Sequence, residues 1–285
     1  MEQIISPIIS PGELVILNKT RKLVMVDART GVNAQEEYLQ KHLKGALFVN
    51  LDTDLADIKS SFSDGGRHPL PDPVNFSDVL TKLGITPSSH VIIYDTKNAA
   101  NAAARFWWML KSIGHEKVQV IDGGFDAAIH AGFPISSEKE EVSIGEPYGD
   151  IAWRLPLSNM QEIENVSKNK DFLIIDVREK KRYDGDTEPI DLVAGHIPGA
   201  INIPYTNNLD NYGFFLSPEK LKKIYEPEIE GRKSGNLIVH CGSGVTACHT
   251  ILAMDYAGMQ IPKLYVGSWS EWSRNDKPVE TSKSL

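Results

Sequence analysis

The 285-residue sequence contains only two cysteines, Cys241 and Cys248, which excludes a disulfide framework and fits a reducing compartment. It has no uncharged apolar run near the ~18 residues a membrane span needs. The opening stretch Met1-Glu2-Gln3-Ile4-Ile5-Ser6-Pro7 lacks the basic flank of a secretory signal and is broken by Pro7 and Pro11. The expectation from these absences is a cytoplasmic protein with no membrane partner. Nor does any run of Lys or Arg suggest a phosphate-backbone footprint. With 30 basic and 38 acidic side chains the net charge is −8, which argues against nucleic acid as a partner. The pair His240-Cys241 and the pair Cys248-His249 straddle a loop and a helix with no C-x-x-C, so a metal site is not expected there.

What the chain does have is 41% apolar residues, enough for two cores of ordinary size, and an internal repeat. The strand-like run Leu23-Val24-Met25-Val26 ends in Asp27-Ala28-Arg29, and Phe172-Leu173-Ile174-Ile175 ends in Asp176-Val177-Arg178, 149 positions later. His42-Leu43-Lys44-Gly45-Ala46 returns as His196-Ile197-Pro198-Gly199-Ala200 at an offset of 154. Val91-Ile92-Ile93-Tyr94 leads into Asp95, and Leu237-Ile238-Val239-His240 leads into Cys241, at 146. Near-constant offsets in a conserved order indicate a duplicated domain. Short apolar strands alternate with helical patterns such as Ala103, Phe106, Trp107 and Leu110. The expected fold class is therefore α/β, with two domains, each a mainly parallel sheet with helices on both faces. The polar stretch Ser136-Ser137-Glu138-Lys139-Glu140-Glu141 reads as the linker, dividing the chain into domains 1–144 and 145–285. The repeated His42 and His196 read as loop scaffold rather than as catalysts.

The segment Cys241-Gly242-Ser243-Gly244-Val245-Thr246-Ala247 lies between a strand and a helix expected to stop at Gly258. Two glycines let successive N–H groups curl inward at the helix start, and such a nest holds negative charge. A thiolate at its centre would be a competent nucleophile, and an anionic persulfide would be held by the same donors. The alternative on the loop alone is that Cys241 is a small buried apolar residue, which is also the reading for Cys248. A dinucleotide site is poorly supported, because Gly242-Ser243-Gly244-Val245-Thr246-Ala247 matches G-x-G-x-x-A but no acidic residue follows where a ribose would need one. A cysteine phosphatase would need Arg six residues after Cys241, where Ala247 stands.

With these residues in view, the whole chain resembles the tandem rhodanese-domain sulfurtransferases, and the loop resembles the 3-mercaptopyruvate type. The motifs are Asp176-Val177-Arg178, Gly195-His196-Ile197-Pro198-Gly199-Ala200, Cys241 to Ala247, and Gly267-Ser268-Trp269-Ser270-Glu271-Trp272. Asp95 stands where the first repeat has lost its cysteine. The resemblance implies that Cys241 takes sulfur from a small anionic donor and passes it to cyanide, a small thiol or a thioredoxin-like protein, with no cofactor. It assigns Asp52, His68 and Ser243 to a proton relay, Arg182 to the donor's carboxylate, and Gly242, Gly244, Val245 and Thr246 to the anion cradle. One departure is Ile190, which follows Glu188-Pro189 where mercaptopyruvate-type members carry a second arginine. Thiosulfate therefore stays open as an alternative donor, and a non-catalytic rhodanese-like binding module as an alternative of another class.

Overall fold

The structure, a computed structural model, describes residues 5–142 and 146–282. The chain divides into two compact units. The first comprises Met1–Ala56, Pro71–Arg154 and Asn211–Phe215, and the second Asp57–Leu70, Leu155–Asp210 and Leu216–Leu285. The boundary expected near residue 145 falls on 143–145, outside the described residues.

The first unit is built on five strands, β1 (Ile8–Ile9), β2 (Val24–Asp27), β3 (Ala46–Phe48), β4 (Val91–Tyr94) and β5 (Val118–Ile121). The second has β6 (Leu157–Ser158), β7 (Leu173–Asp176), β8 (Ile201–Asn202), β9 (Leu237–His240) and β10 (Lys263–Tyr265). The first sheet runs β1-β5-β4-β2-β3 and the second β6-β10-β9-β7-β8, all pairings parallel. The two orders are the same order, so the α/β fold expected from the repeat is the fold observed: two parallel sheets, each flanked by helices. Both central strands, β4 and β9, are buried at every residue, which is why they read as continuous apolar runs rather than alternating ones.

Local signals fix the helix ends. Ser10 and Glu13 cap Pro11–Thr20 reciprocally, the Glu13 N–H donating to Ser10 Oγ at 3.3 Å and the Ser10 N–H to Glu13 at 3.1 Å. The helix Ala103–Ser112 buries nearly all of its residues rather than one stripe, because Trp107, Trp108 and Met109 are all covered.

The duplication extends into the cores. Leu14, Met25, Leu43, Ala46, Ile92, Ile121 and Phe125 of the first core correspond to Ile163, Ile174, Ile197, Ala200, Ile238, Tyr265 and Trp269 of the second. Each of the buried Leu, Ile, Met and Phe side chains contributes about 1.5–3 kcal/mol relative to exposure. The Asp-x-Arg motifs are structural in both units. Arg29 Nη2 donates to Asp27 at 2.6 Å and to the Lys41 carbonyl at 2.9 Å, while Arg178 Nη2 donates to Asp176 at 2.6 Å and to the Gly195 carbonyl at 2.7 Å. Burial opposes ionisation of Asp176, but Arg178 and His240 outweigh it and hold this carboxyl below the usual range. His42 and His196 are also engaged by the fold. Their Nδ1 atoms lie 2.7 and 2.8 Å from the Tyr38 and Tyr183 carbonyls, and each ring stacks on that tyrosine.

Candidate active site

Cys241 is the first residue after β9, and it is buried with a free thiol. Its main chain is fixed on both sides. The Cys241 N–H donates to Ser268 Oγ at 3.2 Å, and its carbonyl accepts the Trp269 N–H at 3.1 Å. Ser268 holds that position at a positive φ of 53°, where the first unit has Gly124 at 64°. A left-handed serine is strained by about 1–3 kcal/mol, and its Oγ hydrogen bonds to Cys241 and to the Tyr265 carbonyl (2.8 Å) offset the strain.

Beyond Cys241 the chain passes through buried Gly242, Ser243, Gly244 and Val245 and half-buried Thr246 before the helix Ala247–Tyr256 begins. Gly244 has a φ of 72°, and a Cβ there would come within 2.4 Å of the Val266 carbonyl oxygen, so only glycine fits. The helix ends before Gly258, itself at a φ of 71°, as the sequence predicts. Cys248 is fully buried within this helix, its thiol directed at the Gly244 carbonyl at 3.4 Å.

The segment 57–70, although far from Cys241 in sequence, packs in the second unit. Gly65 and Gly66 have φ values of 79° and 81°, and a Cβ on Gly66 would meet the Gly267 carbonyl at 2.4 Å. The Gly65 N–H donates to Glu271 at 3.0 Å and the Arg67 N–H to Ser270 Oγ at 3.1 Å. This close docking brings the next two side chains to the cysteine loop. His68 Nδ1 lies 2.8 Å from Ser243 Oγ, so two of the three expected relay members are in hydrogen-bond contact. The third, Asp52, belongs to the first unit, where it is exposed on the short helix Leu51–Asp54.

Arg67 and Arg182 both reach Gly242. A Cβ built there would lie 3.1 Å from Arg67 Nη2 and 3.5 and 3.6 Å from Arg182 Nη2 and Nη1. Two carboxylates hold these cations. Glu188 pairs with Arg182 at 2.8 Å and with Arg178 at 3.2 Å. Asp191 accepts from Arg67, from Arg182 at 3.3 Å and from Arg274 at 2.8 Å. Arg67, Arg182 and Arg274 share Asp191 and Glu188, while Arg178 is also neutralised by Asp176, so the loop keeps a small positive excess suited to a small anion. Arg182 was expected at the site; Arg67, Asp191 and Ser268 were not. The adjacent glycines of Gly65-Gly66-Arg67 were the available signal for the first. Ile190 is largely exposed, and its N–H donates to Glu188 at 3.1 Å.

A parallel duplicated sheet whose second copy presents a free cysteine on a glycine loop under arginines defines a class of sulfur-handling proteins, and the comparisons agree. Residues 10–131 and 159–275 each match the rhodanese-like domain. A probable 3-mercaptopyruvate sulfurtransferase of Pseudomonas aeruginosa is 38% identical over 247 residues, 86% of each chain. The thiosulfate sulfurtransferase of Rattus norvegicus is 34% identical over 86% of this chain and 82% of its own. Among solved structures, a 3-mercaptopyruvate sulfurtransferase from Leishmania major superposes with a TM-score of 0.79 at 30% identity, covering 93% of this chain and 74% of that one. The chain belongs to the rhodanese-like family, among its tandem-domain sulfurtransferases. Among the described residues, no helix is long and apolar enough to cross a membrane.

Proposed function

We propose that the protein moves a sulfane sulfur from 3-mercaptopyruvate to a thiol or cyanide acceptor through a persulfide on Cys241. The observation that carries this reading is that the two residues following Cys241 are met by Arg182, at Gly242, and by His68, hydrogen-bonded to Ser243. Chemistry belongs to the repeat 145–285 together with His68. The repeat 1–144, with Asp95 at the cysteine position, is non-catalytic.

In the first half reaction the Cys241 thiolate attacks the donor sulfur. The carbon–sulfur bond breaks with its electron pair leaving on the enolate of pyruvate. The hydrogen left on the transferred sulfur passes to the enolate carbon, giving pyruvate and an anionic persulfide. Ser243 and His68 supply a path for that proton, and the family resemblance adds Asp52 to the same relay. Arg182 holds the donor carboxylate, and main-chain N–H groups from Gly242 to Thr246, including those of Gly244 and Val245, hold the persulfide. In the second half reaction cyanide or a small or thioredoxin-like thiolate takes the outer sulfur and restores the Cys241 thiolate. Every change involves sulfur, carbon and one proton, so no cofactor takes part. Free thiols at both cysteines fit a cytoplasmic location.

Thiosulfate is the second donor reading, favoured by the similarity to the rat enzyme and by Ile190 in place of a second arginine. It leaves as sulfite and needs no proton.

Intact-mass spectrometry after brief exposure to mercaptopyruvate tests the proposal. One added sulfur, mapped to Cys241 and removed by cyanide as thiocyanate, is expected. Cys241→Ser should abolish both adduct and turnover. An adduct that persists in this variant would remove Cys241 as the carrier.

A further inference from the structure

We infer that His240 is a positioning residue for Cys241, holding the nucleophile's peptide through one ring nitrogen and answering to acid through the other. That the thiol it supports carries sulfur rests on the proposed function; the geometry of His240 does not. His240 ends β9, directly before Cys241, and is fully buried. Its two ring nitrogens both face oxygen. Nδ1 lies 3.1 Å from the Cys241 carbonyl, which also accepts the Trp269 N–H. Nε2 lies 3.7 Å from Asp176 Oδ2, with no hydrogen-bond partner among the described residues. Only Nδ1 is within hydrogen-bond reach, so the single N–H of a neutral ring belongs there and donates to the Cys241 carbonyl. The Nε2 lone pair is then turned toward a carboxylate, acceptor against acceptor, where both side chains are closed to solvent. One proton added at Nε2 satisfies both.

The first repeat has no such group. Tyr94 ends β4 as His240 ends β9, opposite Asp27 as His240 is opposite Asp176, and its hydroxyl accepts the Leu43 N–H at 3.0 Å. Burial raises that phenol, so it does not change charge near neutral pH. The side chain that titrates closer to neutrality stands in the repeat whose next residue is cysteine. Charged and titratable neighbours reach His240 from several elements. Asp176 on β7 favours the imidazolium, whereas Arg178 and His196 oppose it, and the Tyr265 ring on β10 lies 6.3 Å away. On the helix Ala247–Tyr256, Cys248 is directed at the Gly244 carbonyl and His249 at Asn208. Burial is the largest influence and holds the imidazole below its usual range, so the ring is neutral at neutral pH and charges in acid. That charge, arriving behind the cysteine loop, favours the Cys241 thiolate and its persulfide where falling pH would otherwise deplete them.

Alkylation of Cys241 by iodoacetamide, mapped by peptide mass to separate it from Cys248, measures this coupling without any sulfur donor. Followed from about pH 9 down to about pH 4.5, the parent rate should stand about threefold to tenfold above a single-ionisation curve at its acid end. His240→Asn keeps a short uncharged donor beside the Cys241 carbonyl, and its profile should follow the single curve. His240→Phe, which loses the donor as well, should lower kcat for mercaptopyruvate by about threefold to tenfold with the donor KM within about twofold, because Arg182 is unchanged. The unmutated protein supplies a second measurement. With Cys241 capped by iodoacetate, which leaves an anion, the His240 ring titration followed by NMR should lie about half a pH unit to one unit higher than with the neutral iodoacetamide cap. Identical alkylation profiles in the parent and His240→Asn, or one His240 midpoint under both caps, would overturn the inference, as would a His240→Phe that loses thermal stability with kcat intact. Should a variant fail to fold, the two-cap titration decides alone. If the coupling is found but the protein gains no sulfur, the role of His240 toward the thiol stands and the proposed sulfur transfer falls.

Discussion

Asp95 stands in the first unit where Cys241 stands in the second: each follows the central strand, and each accepts at its carbonyl the N–H of an aromatic residue, Phe125 at 3.0 Å and Trp269 at 3.1 Å. The Asp95 carboxylate fills its own loop. Oδ1 accepts the N–H groups of Lys97 (2.8 Å) and Ala99 (3.0 Å), and Oδ2 those of Asn101 (3.1 Å) and Ala103 (3.3 Å). Four main-chain donors converge on one anion carried by the chain itself. The loop after β4 therefore carries a carboxylate of its own where the loop after β9 carries a thiol.

Replacing one carboxylate oxygen with an amide is the sharpest test of that arrangement. Asp95→Asn keeps the shape but turns an NH2 group toward two N–H donors, leaving them unpaired in a buried site. A loss of about 1–3 kcal/mol is expected from urea unfolding at neutral pH. An unchanged midpoint would mean that the loop does not depend on the carboxylate.

The same residue sets a pH dependence. Burial raises the Asp95 carboxyl to about 6, against the opposing pull of the four N–H donors. The folded state then holds a proton that the unfolded chain releases near pH 4. The stability from this group is complete below about pH 4 and is lost as pH rises through about 6. Other carboxylates titrate in the same range, so the readout is the difference between the parent and Asp95→Asn. The parent's advantage should shrink by about 2–3 kcal/mol between pH 4 and pH 7. A difference that is flat with pH would show that Asp95 is ionised throughout.

The duplication, the parallel sheets and their inner strands were legible in the sequence because a parallel sheet writes such strands as apolar runs, here ending in Asp27, Asp176, Asp95 and Cys241; the strand order within each sheet was not, because it depends on pairings between distant segments. The His68–Ser243 contact came from resemblance alone, since 175 positions separate the two and no periodicity links them. Arg67 and Asp191 were overlooked for a related reason. A charged loop residue looks solvated until a tertiary partner is known, and their partner positions are 124 apart. Ser268 was quoted within Gly267-Ser268-Trp269-Ser270-Glu271-Trp272, but its support of Cys241 depends on a positive φ, which a serine does not advertise.

Asp191 should prove a structural keystone of the site. Its side chain is fully covered while the Arg67, Arg182 and Arg274 side chains keep 16%, 12% and 14% exposure, so the cations are only partly screened by water once the carboxylate is gone. Asp191→Ala is expected to cost about 3 kcal/mol, at the low end for breaking a buried pair because of that exposure. Adding Arg274→Ala should recover part of the loss by removing one unpaired cation, a coupling that urea unfolding of both single variants and the double variant would measure. Simple additivity would mean that the three arginines do not share the carboxylate.

The His68–Ser243 hydrogen bond separates the two donors. Mercaptopyruvate leaves as an enolate that must be protonated, whereas thiosulfate leaves as sulfite, stable without a proton. A relay can therefore accelerate only the first, and general acid–base assistance is commonly worth ~10²–10⁴-fold. His68→Ala should depress mercaptopyruvate turnover by a factor of this order and leave thiosulfate turnover within a few-fold of the parent. Ser243→Ala should show the same selectivity, because the proposed proton path runs through its hydroxyl, which lies 2.8 Å from His68 Nδ1. The double variant should be no worse than the more damaged single one, since two members of one path fail together. Equal losses with both donors would assign His68 to holding the segment 57–70 in place, and the thermal midpoint of the variant would then fall in step with its activity.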